Sequence, residues 1–210
     1  MAACSNAYRQ MFPESPLTKK GLPLFKEGFN DSILRGRGRL KTMHEYVRNN
    51  PRRLLWQILK PEVFSRVNDI QLEGQRVRMY GNLFLLKDPR LRFMKVSRNF
   101  NEEELQQWHK SWDSTIREDG VLISAFIHKE ERKILEKAIA AGSRIIYLQA
   151  EFLGDRYHPW GRLRELCPEG RLLVISTGEL PERAPRGSMR RPIAQRLNAL
   201  GAAIADSSSA

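Results

Sequence analysis

The chain has 210 residues, 41% of them hydrophobic, with a formal net charge of +12 and a pI near 10.1. That length suits one large domain or one domain with an extension, and the composition can bury a core rather than remain disordered. No run approaches the ~20 apolar residues of a membrane helix, and MAACSNAYRQMFPESP lacks the apolar stretch of a secretory signal, so a cytoplasmic protein without a membrane partner is expected. Cys4 and Cys167 stand far apart, which points to neither a disulfide framework nor a zinc site. His44, His109, His128 and His158 form no HxH or HExxH pair, and no metal or other cofactor is expected.

The charge is unevenly placed. Residues 1–100 carry 20 Lys and Arg against 8 Asp and Glu, a net of +12, and residues 101–210 carry 16 of each sign. Such a split fits a polyanion contact built into one part of the molecule, or a generally solvated basic segment.

Residues 1–28 hold Pro13, Pro16, Gly21 and Pro23 without a period and read as an irregular arm. Residues 29–74 read as a basic, mainly helical extension. Within it Leu40, Met43, Tyr46 and Val47 recur at helical spacing, and a second short helix is expected over Arg52–Lys60, ended by Pro61. From Gln75 the texture changes. RVRMYGN predicts a strand and turn, and LRFMKVS (91–97) a strand. Asn101 is the expected cap of an acidic first turn and a helix to about Arg117. VLISAFI (121–127) predicts a strand buried on both faces. A helix over 129–141 closed by Gly142, strands at 143–150 and 171–177, a helical turn or two at 160–168 and a terminal helix over 191–205 follow; 206–210 is a frayed end.

Alternating strands and helices with short links predict an α/β fold: a Rossmann-like, doubly wound parallel sheet flanked by helices over 75–205, behind the basic extension. Ligands of such sheets sit at the carboxyl ends of the strands. The loop VSRNFNEEE then offers a phosphate seat in Ser97, Arg98 and Asn99, where backbone amides and a guanidinium fork favour an anion; the alternative for Arg98 is pairing with Glu102–Glu104. The acids Glu102–Glu104 and Glu130–Glu131 read as first turns of helices. Trp108 and Trp112, four apart, read as packing residues. Tyr157, His158 and Trp160 could form an aromatic platform or cap a core.

The stretch QRVRMYGNLFLLKDPRLRFMKVSRN is similar to the entry of the bacterial DNA-processing protein A family, within the SLOG group of Rossmann-like domains. Gly81, Asn82, Leu85, Leu86, Pro89, Ser97 and Arg98 carry the likeness. VLISAFIHKEERKILEKAIAAGSRIIYLQ, GRLLVIST and RRPIAQRLNALGAAIA resemble its later segments, in the right order. The resemblance implies nucleotide or single-stranded DNA binding near these loops and carries over Ser97, Arg98 and Arg190; Asn99 and Ser124, in the loops after the first two of these strands, are the other candidate phosphate-binding residues. The chain departs from the family's glycine-rich second loop, having SAFIHKE from Ser124, and lacks the GGxGT signature of the hydrolase branch.

The segment FKEGFNDSILRGRGRLKTMHEYVRNNPRRLL resembles the end of the single-tyrosine HUH transposases, including the REP-associated ones, through Phe29, Asp31, Ile33, Tyr46, Val47, Asn50 and Pro51. The resemblance puts Tyr46 at the position of the nucleophilic tyrosine; a packing residue and a relic are the other readings. The His-hydrophobic-His pair of those enzymes has no counterpart here. Arg35, Arg37, Arg39, Lys41, Arg48, Arg52 and Arg53 would contact phosphates, or form a solvated face. The expected function is nucleotide or nucleic-acid binding of the DNA-processing or mobile-element type, without strand cleavage. A SLOG-type enzyme acting on a nucleoside phosphate and a non-catalytic protein-interaction module are the alternatives, and a homo-oligomer stays open. On this reading, the extension and the Ser97–Arg98 loop share one phosphate-binding surface.

Overall fold

The computed structural model describes Gln10 and residues 58–208, apart from Arg98, Arg156, Trp160, Arg183 and Arg186. Tyr46 and all seven basic residues from Arg35 to Arg53 singled out above therefore lie outside the described residues, as does Arg98. The described fold belongs to the second of two compact units, Asn50–Ala210.

One six-stranded sheet organises this unit. Its strands are β1 (Ser65–Leu72), β2 (Gln75–Gly81), β3 (Leu91–Phe93), β4 (Val121–Ser124), β5 (Arg144–Glu151) and β6 (Leu172–Leu180), in the spatial order β1-β2-β6-β5-β4-β3. β3, β4, β5 and β6 run parallel to their neighbours, and the β1–β2 hairpin joins β6 antiparallel. The helices are α1 (Glu102–Arg117), α2 (Lys129–Ala140), the short α3 (Leu163–Leu166) and α4 (Arg191–Ser207). This is an α/β, Rossmann-like layer of mostly parallel strands flanked by helices.

It departs from a doubly wound sheet in one respect. β3, β4, β5 and β6 are adjacent in chain order, so the chain steps across the sheet in one direction. Right-handed crossovers then lay every connecting helix on the same face. The two core clusters follow that division. Trp112 of α1, Ile134, Leu135 and Ala138 of α2, and Leu163 and Leu166 of α3 pack on Leu122, Ile145, Leu172 and Val174. Leu197, Leu200 and Ile204 of α4 pack on Ile123, Ile146, Leu148 and Ile175 of the opposite face. The winding never reverses between these parallel strands, so no crevice arises from a reversal.

Local signals account for most boundaries. The Asn101 side chain accepts from the Glu104 amide and Glu104 answers to the Asn101 amide, so α1 starts with a capping box over an acidic turn. α2 is followed by Gly142 at φ +66, a left-handed position that glycine adopts without strain. Trp108 and Trp112 stack with ring centroids 6.2 Å apart, Trp112 inside the core.

Four strands differ from expectation. β1 lies ahead of Gln75, so the sheet begins inside the segment read as a helical extension. Its hairpin turn places Glu73 and Gly74 at positive φ, the geometry that twists two strands correctly. β3 ends at Phe93 and β4 at Ser124, earlier than predicted: the Met94 amide still bonds to the Ile123 carbonyl, but beyond it the Val96 amide turns to Glu131, and after β4 the Phe126 amide turns to the Ser124 side chain. β6 runs on to Leu180, into the segment read as loop.

Candidate functional site

The expected phosphate seat lies where β3 and β4 end. Ser97 and Asn99 are exposed there. Ser124 is 0% exposed, and its Oγ accepts the Phe126 N–H at 3.0 Å; the hydroxyl closes the turn out of β4 rather than facing solvent. Arg190 is exposed at the N-cap of α4, where its side chain makes no capping bond.

What draws the two strand ends together is a residue the sequence reading assigned only to a helix turn. Glu131 is 3% exposed. One carboxylate oxygen accepts the Val96 N–H at 2.8 Å, and the other accepts those of Ile127 at 2.7 Å and His128 at 3.2 Å. His128 in turn caps α2, its Nδ1 accepting the Glu130 N–H at 3.2 Å. Three backbone donors at these loops are thus spent on an internal carboxyl group. The spacing from His128 to Glu131 is that of a capping box, but histidine is not among the usual capping residues, so the signal was weak.

Phe126 completes the closure. It holds φ +49, a left-handed conformation rare for an aromatic residue, while its buried ring stacks on Tyr147 at 5.4 Å and 16°. Burial pushes the Tyr147 hydroxyl up to about 12, with Glu151 adding to the effect. A hydrogen bond from Lys133 outweighs burial and holds the Glu130 carboxyl below its ordinary value, helped by Lys129 and His109.

In the YHPWGR loop Tyr157 caps the core, His158 is exposed and Trp160 lies outside the described residues. Tyr157 is buried, donates to Gln149 at 3.2 Å and meets the Tyr80 ring edge-on at 5.9 Å; His158 also lies edge-on to Tyr80. Arg66 of β1 ties the loop down through the carbonyls of Gly154 at 2.8 Å and Tyr157 at 3.0 Å, and Arg78 of β2 through that of Leu153 at 3.2 Å. Burial, with Arg164 and Arg66 nearby, lowers the His158 pKa.

At the opposite end of the sheet, a cleft of about 320 Å³ is bordered by an ion-pair network. Arg144 bridges Asp88 and Asp119, and Arg171 joins Asp119 and Glu169 at 3.1 Å each. These pairs staple the amino ends of the strands. Burial works against ionisation of Asp88, but the Arg90 amide and the Arg144 guanidinium outweigh it and hold the carboxyl below 3.8.

Among the described residues no group of three or more His, Cys, Asp or Glu is placed to hold a metal ion, and no helix is long and apolar enough to cross a membrane. No family model matches the chain, and no curated protein or solved structure matches it either.

Proposed function

We propose that the chain binds nucleic acid through its basic half, with the α/β layer as scaffold and without cleaving the strand itself. The observation that carries this reading is the confinement of the whole +12 net charge to residues 1–100. Arg35, Arg37, Arg39, Lys41, Arg48, Arg52 and Arg53 can each neutralise a phosphate and release a counterion. The DNA-processing and mobile-element resemblances of the sequence point to the same class of partner.

Two features of the strand ends favour a polymer over a free nucleoside phosphate. Glu131 already takes the Val96, Ile127 and His128 amides, and the turn out of β4 holds the buried Phe126 ring stacked on Tyr147. An enzyme of the SLOG type would need both released.

Fluorescence anisotropy of labelled single- and double-stranded oligonucleotides, titrated at several salt concentrations, tests the proposal. A contact with six or more phosphates weakens by about a thousandfold or more between roughly 50 and 200 mM salt. Replacing Arg35, Arg37 and Arg39 together by Ala lowers the slope of log K against log salt by about two. No binding at low salt, or binding indifferent to salt, overturns the reading.

A further inference from the structure

The sheet opens at the far end of β6. β2 pairs with β6 only from Gly81 opposite Leu173 to Arg78 opposite Ser176. β5 pairs with β6 up to Gln149 opposite Ser176, and the pairing resumes at Glu151 opposite Leu180. Two steps along β5 thus face four along β6, and Thr177, Gly178 and Glu179 bulge from the ladder. The start of β2 is left paired with β1 alone.

The result is a cleft of about 250 Å³ between Asp69, Arg76 and Arg78 on the hairpin side and Phe152, Thr177 and Gly178 on the other. That is below the ~300–1,000 Å³ of sites for drug-sized ligands and suits a smaller planar group. Phe152 is 37% exposed and belongs to neither core cluster, yet it is fixed. Its N–H donates to the Leu180 carbonyl at 2.8 Å, and the Arg78 guanidinium stacks on its ring at 4.1 Å. Arg78 is itself held by the Leu153 carbonyl and by Asp69 at 3.1 Å. Gly178, at φ +66, puts no side chain against the ring; a Cβ there would lie 3.5 Å from it. Arg76 pairs through Nε with Asp69 at 3.2 Å, and its side chain is 70% exposed.

A rigid, part-exposed aromatic ring beside an exposed guanidinium suits a base attached to a phosphate. We propose that this cleft takes one unpaired base of a single-stranded nucleic acid, stacked on Phe152, with Arg76 against the flanking phosphate. The inference rests on the nucleic-acid reading above and adds to it a place where single strands are distinguished from duplex. Stacking on an aromatic face tolerates any base, so little sequence preference is expected.

The test uses the full chain and a short single-stranded oligonucleotide carrying one 2-aminopurine, beside the same strand with an abasic site in its place. Binding should quench the 2-aminopurine fluorescence. Phe152→Ala should abolish the quench and weaken that strand about tenfold while leaving the abasic strand unchanged. Phe152→Leu, which keeps apolar bulk without a ring, should behave the same way. Arg76→Ala should weaken both strands equally, by a few-fold. If both strands bind but Phe152→Ala or Phe152→Leu matches the wild type, the cleft is not a base site and the polyanion reading stands. An equal loss for both strands in the Phe152 variants also overturns the base site. If neither strand binds the wild type at low salt, both readings fall.

Discussion

Glu131 shows how one side chain can decide what a loop is able to bind. Its carboxylate satisfies three backbone donors from two loops, and a buried donor left without a partner costs about 1–3 kcal/mol. Glu131→Ala should therefore destabilise the fold by about 3 kcal/mol in urea denaturation, and Glu131→Gln, which keeps one acceptor oxygen, by about half as much. Phe126 offers a second check. Glycine normally destabilises more than alanine, but at φ +49 it avoids the strain that alanine retains. Phe126→Gly should be more stable than Phe126→Ala by about 1 kcal/mol, although both lose the buried ring; the reverse order would mean the kink relaxes once the ring is gone. Neither role was legible in the sequence. The acids at Glu130–Glu131 were correctly placed in a first turn, but the reach of Glu131 to Val96 depends on a contact between segments remote along the chain.

Among the elements, helices were read more accurately than strands. The start of α1 and the Gly142 stop follow from local signals, a capping asparagine over an acidic first turn and a glycine after the last turn, while α2 is marked by the acids of its first turn and the terminal helix by Pro192 in its own. β1 leaves little trace in the sequence because it is an edge strand with an exposed middle, so it lacks a strong apolar alternation. Its bulge between Val67 and Ile70, with Asp69 at φ +55, breaks the period further. Gly81 shows how tightly the hairpin is joined to the rest. It holds φ +123, and a Cβ there would come within 2.2 Å of the Leu172 carbonyl oxygen. Gly81→Ala should cost about 3 kcal/mol or more and separate β2 from β6, seen as loss of amide-exchange protection in both strands.

Across the whole molecule, the acid response should trace to the amino ends of the strands. Because Asp88 titrates below its ordinary 3.8 in the folded state, its contribution is present above that value and fades as pH falls through the lowered one. Stability measured against pH should drop on this acid limb, and Asp88→Asn should flatten the drop while lowering stability at neutral pH. The sequence by itself determined the α/β class, most helix boundaries, the buried character of β4 and the charge split, because each depends on local pattern or plain counting. Only the tertiary structure decided the one-directional winding, the closing of the strand ends by Glu131 and Phe126, and the cleft beside Phe152. Those depend on which strands become neighbours and where their pairing breaks, and contacts between residues far apart in the chain leave no local pattern to read.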